Sequence, residues 1–163
     1  MKYMQKLAAG QDTIMAYNAV MRQGSWGDMP LELRGRKGGS IVNWYQFDLF
    51  PQLRPFVFGI MTRIEGEQLG QVALVRLAPG QGKVLEWSKL AGAHHYLVPL
   101  NVAPGMLMAA GDDPQVMLSP GDVWWAHGGT AVVLENNSAE ELILLMIEAV
   151  PNAPATEVPE EQE

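Results

Sequence analysis

The chain has no cysteine among its 163 residues. It therefore has no disulfide framework, no thiolate metal site and no cysteine nucleophile. That composition suits a reducing compartment, and a cytoplasmic location is expected. Long apolar runs are missing as well. None approaches the roughly 18 residues of a membrane span, so no membrane partner is expected. The opening residues Met1-Lys2-Tyr3-Met4-Gln5-Lys6 contain neither the apolar stretch nor the cleavage site of a signal peptide. Positive charge is absent from nearly half of the chain. Residues 1–89 hold all 11 Lys and Arg with 7 acidic residues, whereas residues 90–163 hold 11 acidic residues and no Lys or Arg. Nucleic-acid binding needs a basic patch. The one stretch that offers it is Arg34, Arg36 and Lys37, and no nucleic-acid partner is expected.

What remains is enough for one domain. At 48% hydrophobic and 18% charged the chain can build a core of its own. Residues 1–150 are read as a single domain. Residues 151–163 carry three prolines and four glutamates with little to bury, and read as a disordered acidic tail.

The first half reads as helices and loops. Asp12 caps a predicted helix over 13–23, with Ile14, Tyr17 and Met21 on one face. Residues 24–40, rich in glycine and charge, read as exposed loop. A short strand is expected at 41–45. Asp48 and Pro51 offer helix-start chemistry. After them Leu53, Phe56, Val57, Ile60, Met61 and Ile64 form an apolar stripe for a helix packed on a sheet, with Gly66 as its stop. From residue 70 the pattern turns to short strands, expected at 71–77, 83–88, 95–100, 115–118, 122–125, 131–135 and 142–149. Pro79-Gly80, Pro104-Gly105, Pro120-Gly121 and Gly128-Gly129 punctuate them. Strands at this spacing indicate an antiparallel sandwich or barrel.

Two segments of the strand half carry a family likeness. Gln71 to Gly80, continuing to Glu86, resembles the Leu-x-Pro-Gly strand and turn that leads into the metal-binding strand of cupin-type double-stranded β-helices. Gly121-Asp-Val-Trp-Trp-Ala-His-Gly-Gly129 through Asn136 and Ser138 resembles their second motif. Between them, Tyr96-Leu-Val-Pro-Leu100 and 101–104 look like the strand that marks the aspartyl/asparaginyl β-hydroxylases, a group of Fe(II)/2-oxoglutarate oxygenases. The resemblance spans roughly residues 15–150. It implies an α+β, mainly β fold: a cupin-like double-stranded β-helix, or jelly roll, buttressed by N-terminal helices. Gly129 and Asn136 would be its turn and packing residues.

The chemistry implied by the resemblance departs from the pattern. The first histidine of the family falls at Glu86 and the second ligand at Ser88. The distal histidine falls at Val132, and the basic residue for the co-substrate carboxylate falls at Leu142. Two of these side chains are aliphatic and have no lone pair for iron. No Lys or Arg follows Lys89, so a replacement cation must come from Arg63, Arg76, Lys83 or Lys89. Arg76 shares a strand face with Val72 and Leu74. No cofactor is expected; Fe(II) and 2-oxoglutarate would be required only if the family chemistry survives.

The remaining polar residues leave alternatives open. His94 and His95 are adjacent on a strand, so only one of them can enter a barrel. One reading joins Glu86 and His95 as an acid–base pair, with His127 as a third group if a metal is held. The other makes His94 a surface residue, His95 a hydrogen-bonded wall residue and His127 a loop residue. Glu86 sits on a strand with mixed faces, and an inward position would raise its pKa. Trp124 and Trp125 face opposite ways: one belongs to the core, and the other can line a pocket mouth with Trp87, Tyr96, His127 and Arg76. Met106, Met108, Met117 and Met146 are expected to fill the barrel interior. Three functions follow. The chain is a pseudoenzyme that binds a small molecule, peptide or protein in the old cavity; or an enzyme with a rearranged Glu86/His95 centre; or a structural and assembly protein. A homodimer is expected.

Overall fold

A strand buried on both faces needs cover on both sides, and the two most apolar segments of this chain are of that kind. Along 142–147, Leu142, Leu144 and Met146 alternate with Ile143, Leu145 and Ile147, and all six are buried. Along 95–98, His95 and Leu97 alternate with Tyr96 and Val98 in the same way. These strands sit at the centre of a layered molecule. The computed structural model describes residues 2–10, 12–13, 16–18, 31–37, 40–42, 53–63, 66–85 and 92–151. Among them are β1 (Met4–Ala8), β2 (Leu31–Lys37), β3 (Ser40–Val42), the helix α1 (Leu53–Arg63), β4 (Gly66–Leu77), β5 (Gly82–Leu85), β6 (His94–Asn101), β7 (Met106–Ala110), β8 (Val116–Met117), β9 (Val123–Ala126), β10 (Val132–Asn136) and β11 (Leu142–Pro151).

The strands form two antiparallel sheets. One has seven strands in the order β1-β9-β6-β11-β4-β2-β3, and the other has four in the order β5-β10-β7-β8. From β4 onward the chain crosses between sheets at almost every step, with β7 and β8 as the one hairpin kept within a sheet. Strands β4, β11, β6 and β9 face β5, β10, β7 and β8. That is the connectivity of a jelly roll. The fold is a cupin-like double-stranded β-helix, mainly β.

Side-chain alternation then divides the core in two. The barrel interior holds Val75, Leu77, Leu97, Trp124, Leu142, Leu144 and Met146 from the large sheet, against Leu85, Met106, Met108, Val132 and Leu134 from the small one. The outer face of the large sheet carries Val72, Leu74, Tyr96, Val98, Trp125, Ile143 and Leu145. Helix α1 covers this face with Leu53, Val57 and Ile60, the expected stripe, and Phe56 and Met61 pack at its margin. Each of those buried aliphatic side chains contributes on the order of 1.5–3 kcal/mol. Ile64 lies outside the described residues.

The strand half follows the sequence expectation closely. Three of its Pro-Gly turns place Gly80, Gly105 and Gly121 at φ of 85°, 103° and 79°, where any side chain would be strained. The first half does not. Met4–Ala8 pairs with β9 as an edge strand, and Leu31–Lys37, read as exposed loop, pairs with both β4 and β3. Its charge and glycine hid it in the sequence, because neither favours a strand. Gly66 begins β4 rather than merely ending the helix. Strand β7 was hidden because Met and Ala, which build it, carry little strand preference. Met117 lies on the outer side of β8 and is 60% exposed, so it does not fill the interior. Of the helix expected at 13–23, residues 16–18 are helical and 19–23 lie outside the described residues; so do Asp48, Pro51 and residues 152–163. No helix of the described residues is long and apolar enough to cross a membrane.

Candidate functional site

One end of the barrel concentrates the buried polar chemistry. His95 pairs across β6 and β11 with Glu148 and across β6 and β9 with Ala126. Alternation puts His95 with Leu97, and Glu148 with Met146 and Leu144, on the interior side. Both are deeply buried, His95 being 3% and Glu148 4% exposed. Burial pushes the His95 imidazole below the ordinary histidine value, with Glu148 opposing that shift, so the ring is held neutral. Its Nδ1 has no hydrogen-bond partner.

Glu148 is positioned by a bulge. Between Ile147 and Ala149 on β11 the register with β4 slips, so that one residue meets Gly70 and Gln71. The amide of Gln71 donates to Glu148 Oε1 at 2.8 Å. A Cβ on Gly70 would run into that carboxylate, so this position needs glycine for a close approach. A carboxylate and a neutral imidazole are thus set on facing positions of two central strands, among apolar neighbours.

The other proposed residues divide between faces. Trp124 is inside the barrel, whereas Trp125 and Tyr96 lie in the outer core beneath α1. Both tryptophans are 3% exposed, so neither lines an open mouth. Arg76 shares the outer face with Val72 and Leu74, and its Nε ion-pairs with Glu141 at 3.0 Å. It therefore does not reach the interior. Lys83, opposite Leu134 on β5, is on the interior side by register. His127 does not join His95. It stands with His94, ring centroids 5.3 Å apart, on the other side of the large sheet. Glu86, Trp87, Ser88 and Lys89 lie outside the described residues, and so does the side chain of Arg63.

His94 and His127 make a cluster with Trp125, whose ring centroid is 5.2 Å from His94 and 6.1 Å from His127. The Gly128 amide donates to His94 Nδ1 at 2.9 Å, and the Gly129 amide to His127 Nδ1 at 3.1 Å. An Nδ1 that accepts leaves the proton of the neutral ring on Nε2, so neither Nε2 presents a lone pair to a metal. His94 is pushed down to about 4 by burial first, then by His127 and His95. Close by, the chain preceding β1 crosses this end of the barrel. The Asp113 carboxylate accepts the amides of Lys2, Tyr3 and Met4 at 2.8, 2.6 and 2.9 Å, and the His127 amide donates to the Tyr3 carbonyl at 2.9 Å.

The expected packing role of Asn136 agrees with its geometry. It is fully buried, its Nδ2 donates to the carbonyls of Leu77 and Glu140, and its Oδ1 accepts from Ser138. Glu148 and Asp113 were missed in the sequence. The signal for Glu148 was available: it is the one charged residue in the apolar run 142–150, in phase with Leu142, Leu144 and Met146.

The iron and 2-oxoglutarate of the oxygenases that the sequence resembles do not fit the described residues. Val132 and Leu142, at the positions of the distal histidine and the basic residue, are fully buried hydrocarbon inside the barrel. Among the described residues no group of three or more His, Asp or Glu is arranged to hold a metal.

Neither a family model nor a curated protein matches the chain. Solved structures match parts of it. One is a Photorhabdus luminescens protein, 11% identical over 51% of this chain and 63% of that one, less than two thirds of its length, with a TM-score of 0.42. Another is a cupin domain from Bordetella pertussis, 20% identical over 51% of this chain and 82% of that one, TM-score 0.41. A third is a predicted oxalate decarboxylase from Thermotoga maritima, 14% identical over 75% and 94%, TM-score 0.43.

Proposed function

We propose that the chain is a binding module on an oxygenase-type barrel, similar to the aspartyl/asparaginyl β-hydroxylases but without their iron and co-substrate positions. Its ligand, a small molecule or the side chain of a peptide or protein, sits inside the barrel against His95 and Glu148. The observation that carries this reading is the His95 Nδ1 atom. Buried polar atoms are almost always paired, and this one faces the interior at 3% exposure with no partner. A neutral imidazole offers a donor and an acceptor and the carboxylate a further acceptor, so the ligand is held through hydrogen bonds.

A fragment library read on the His95 ring resonances tests the proposal. Binders should move His95 and leave His127, on the other side of the sheet, in place. A library that moves His127 alone counts against an interior site. Activity is tested separately, by loading the protein with Fe(II) and following succinate release from 2-oxoglutarate. No stoichiometric iron and no turnover are expected. Turnover that disappears in Glu86→Ala or His95→Ala would establish instead the alternative enzyme with a rearranged centre.

A second reading, an assembly protein that forms a homodimer, draws on the outer face of the four-stranded sheet. There Val84 and Val133 are cross-strand partners and both exposed, with Met117 on the same sheet. Light scattering that gives a strict monomer would remove it.

A further inference from the structure

Beneath α1, on the face of the large sheet that points away from the barrel, two buried polar atoms are left without partners. Tyr96 and Trp125 are cross-strand partners on β6 and β9. Both belong to the outer core with Leu53, Val57 and Ile60 of α1. Tyr96 is fully buried and Trp125 nearly so, and neither the phenol oxygen nor the indole Nε1 has a hydrogen-bond partner. Directly opposite residues on one sheet face have neighbouring side chains, so the two unmet groups share one locality. His94 lies two residues before Tyr96, on the same face of β6, and packs its ring against Trp125 at 5.2 Å. Its Nδ1 is taken by the Gly128 amide, which puts its proton on Nε2.

The chemistry of the three groups is one-sided. An indole N–H donates only, an imidazole with its Nδ1 occupied donates from Nε2, and a phenol donates or accepts. Leu53, Val57 and Ile60 of α1 belong to the same apolar cluster as Tyr96 and Trp125 and supply no acceptor. We propose that Tyr96, Trp125 and His94 form a second binding site, separate from the barrel interior, for the carbonyl oxygen of a small uncharged ligand. The lack of charge follows from the surroundings. A carboxylate buried there needs a counter-charge, and of the three groups only His94 can carry one. Burial holds His94 neutral at physiological pH, so it supplies none. The half-buried His94 and His127 mark the rim, and the apolar helix supplies the cover that a ketone or lactam ring would pack against.

The test uses the full chain and the indole N–H resonances of its tryptophans, with Trp125 assigned by its loss in Trp125→Phe. The probes are γ-butyrolactam and, as a charged compound of similar size, butyrate. The lactam is expected to move the Trp125 resonance saturably and to leave Trp124, which lies in the barrel interior, unmoved. Tyr96→Phe, which removes only the hydroxyl, should weaken binding roughly tenfold. A Trp125 resonance indifferent to the lactam, or one that moves in parallel with Trp124, would overturn the site. Saturation by butyrate alone would overturn the uncharged assignment, and unchanged affinity in Tyr96→Phe would remove Tyr96 from the site. Trp124 reports on the barrel separately, so failure here leaves the interior reading standing.

Discussion

His95 and Glu148 face one another across β6 and β11 inside the barrel, and the carboxylate reaches its place because Gly70 has no side chain. A backbone bulge, a glycine and an acid are thus one arrangement. It explains why a charged residue is tolerated in the most apolar strand of the chain.

Replacing Gly70 by alanine forces the Glu148 carboxylate aside. The cost should be about 1–3 kcal/mol, the range of an overpacked core, measured as a loss of urea stability. In a Glu148→Ala background the same change should cost much less, because the obstructing atoms are gone. Simple additivity of the two changes would show that they are not coupled.

Asn136→Ala removes the side chain that ties the end of β10 to Leu77, Ser138 and Glu140. A loss of about 2–3 kcal/mol is expected, since buried backbone carbonyls are left unpaired. Asn136→Asp keeps the size but not the donor, and should recover little of it.

Acid should weaken the fold before the carboxylates titrate. His94 takes up its proton near pH 4 in the folded chain and near the ordinary 6.5 in the unfolded one, and His95 is shifted in the same direction. A lowered pKa means that the unfolded state binds the proton first as pH falls. Stability is therefore fully present above about 6.5 and declines toward 4. Denaturation midpoints recorded through that window should fall with pH, and His94→Gln should flatten the fall. A flat wild-type profile would contradict the buried neutral ring.

Asp113→Ala frees three successive backbone amides at residues 2–4. Amide exchange of Lys2, Tyr3 and Met4 should accelerate markedly, while the centre of β11 stays protected. Unaltered protection at residues 2–4 would mean that pairing with β9 holds the N-terminal segment without the aspartate.

Dialysis against a chelator should leave the thermal midpoint where it was, because the interior positions Val132 and Leu142 supply no lone pair. A drop restored by Fe(II) would reveal a metal that holds the barrel together.

The strand half was legible because its signals are local. Pro-Gly marks a turn from sequence alone, and here all three such glycines take positive φ, while the apolar alternation of 142–149 has one extended solution. The stripe from Leu53 to Met61 is a helical face by period alone. Strands β1, β2 and β7 were not legible. Lys6, Arg34 and Arg36 look solvated until a neighbouring strand supplies the backbone pairing, and Met106 and Met108 have no strand bias of their own.

Placement of the site followed the same division. Adjacent histidines had to point to opposite faces, as did Trp124 and Trp125, whatever the fold, because strand geometry alternates. Which face is interior was a tertiary matter. It was decided by where α1 lies, and it set Arg76, Tyr96 and Trp125 outside, moved His127 from His95 to His94, and brought Glu148 opposite His95. Composition and periodicity determined that this chain is a sheet protein with no thiol chemistry and a cation-free second half. Partnership between residues some fifty positions apart depends on register across a sheet, and only the folded chain sets that.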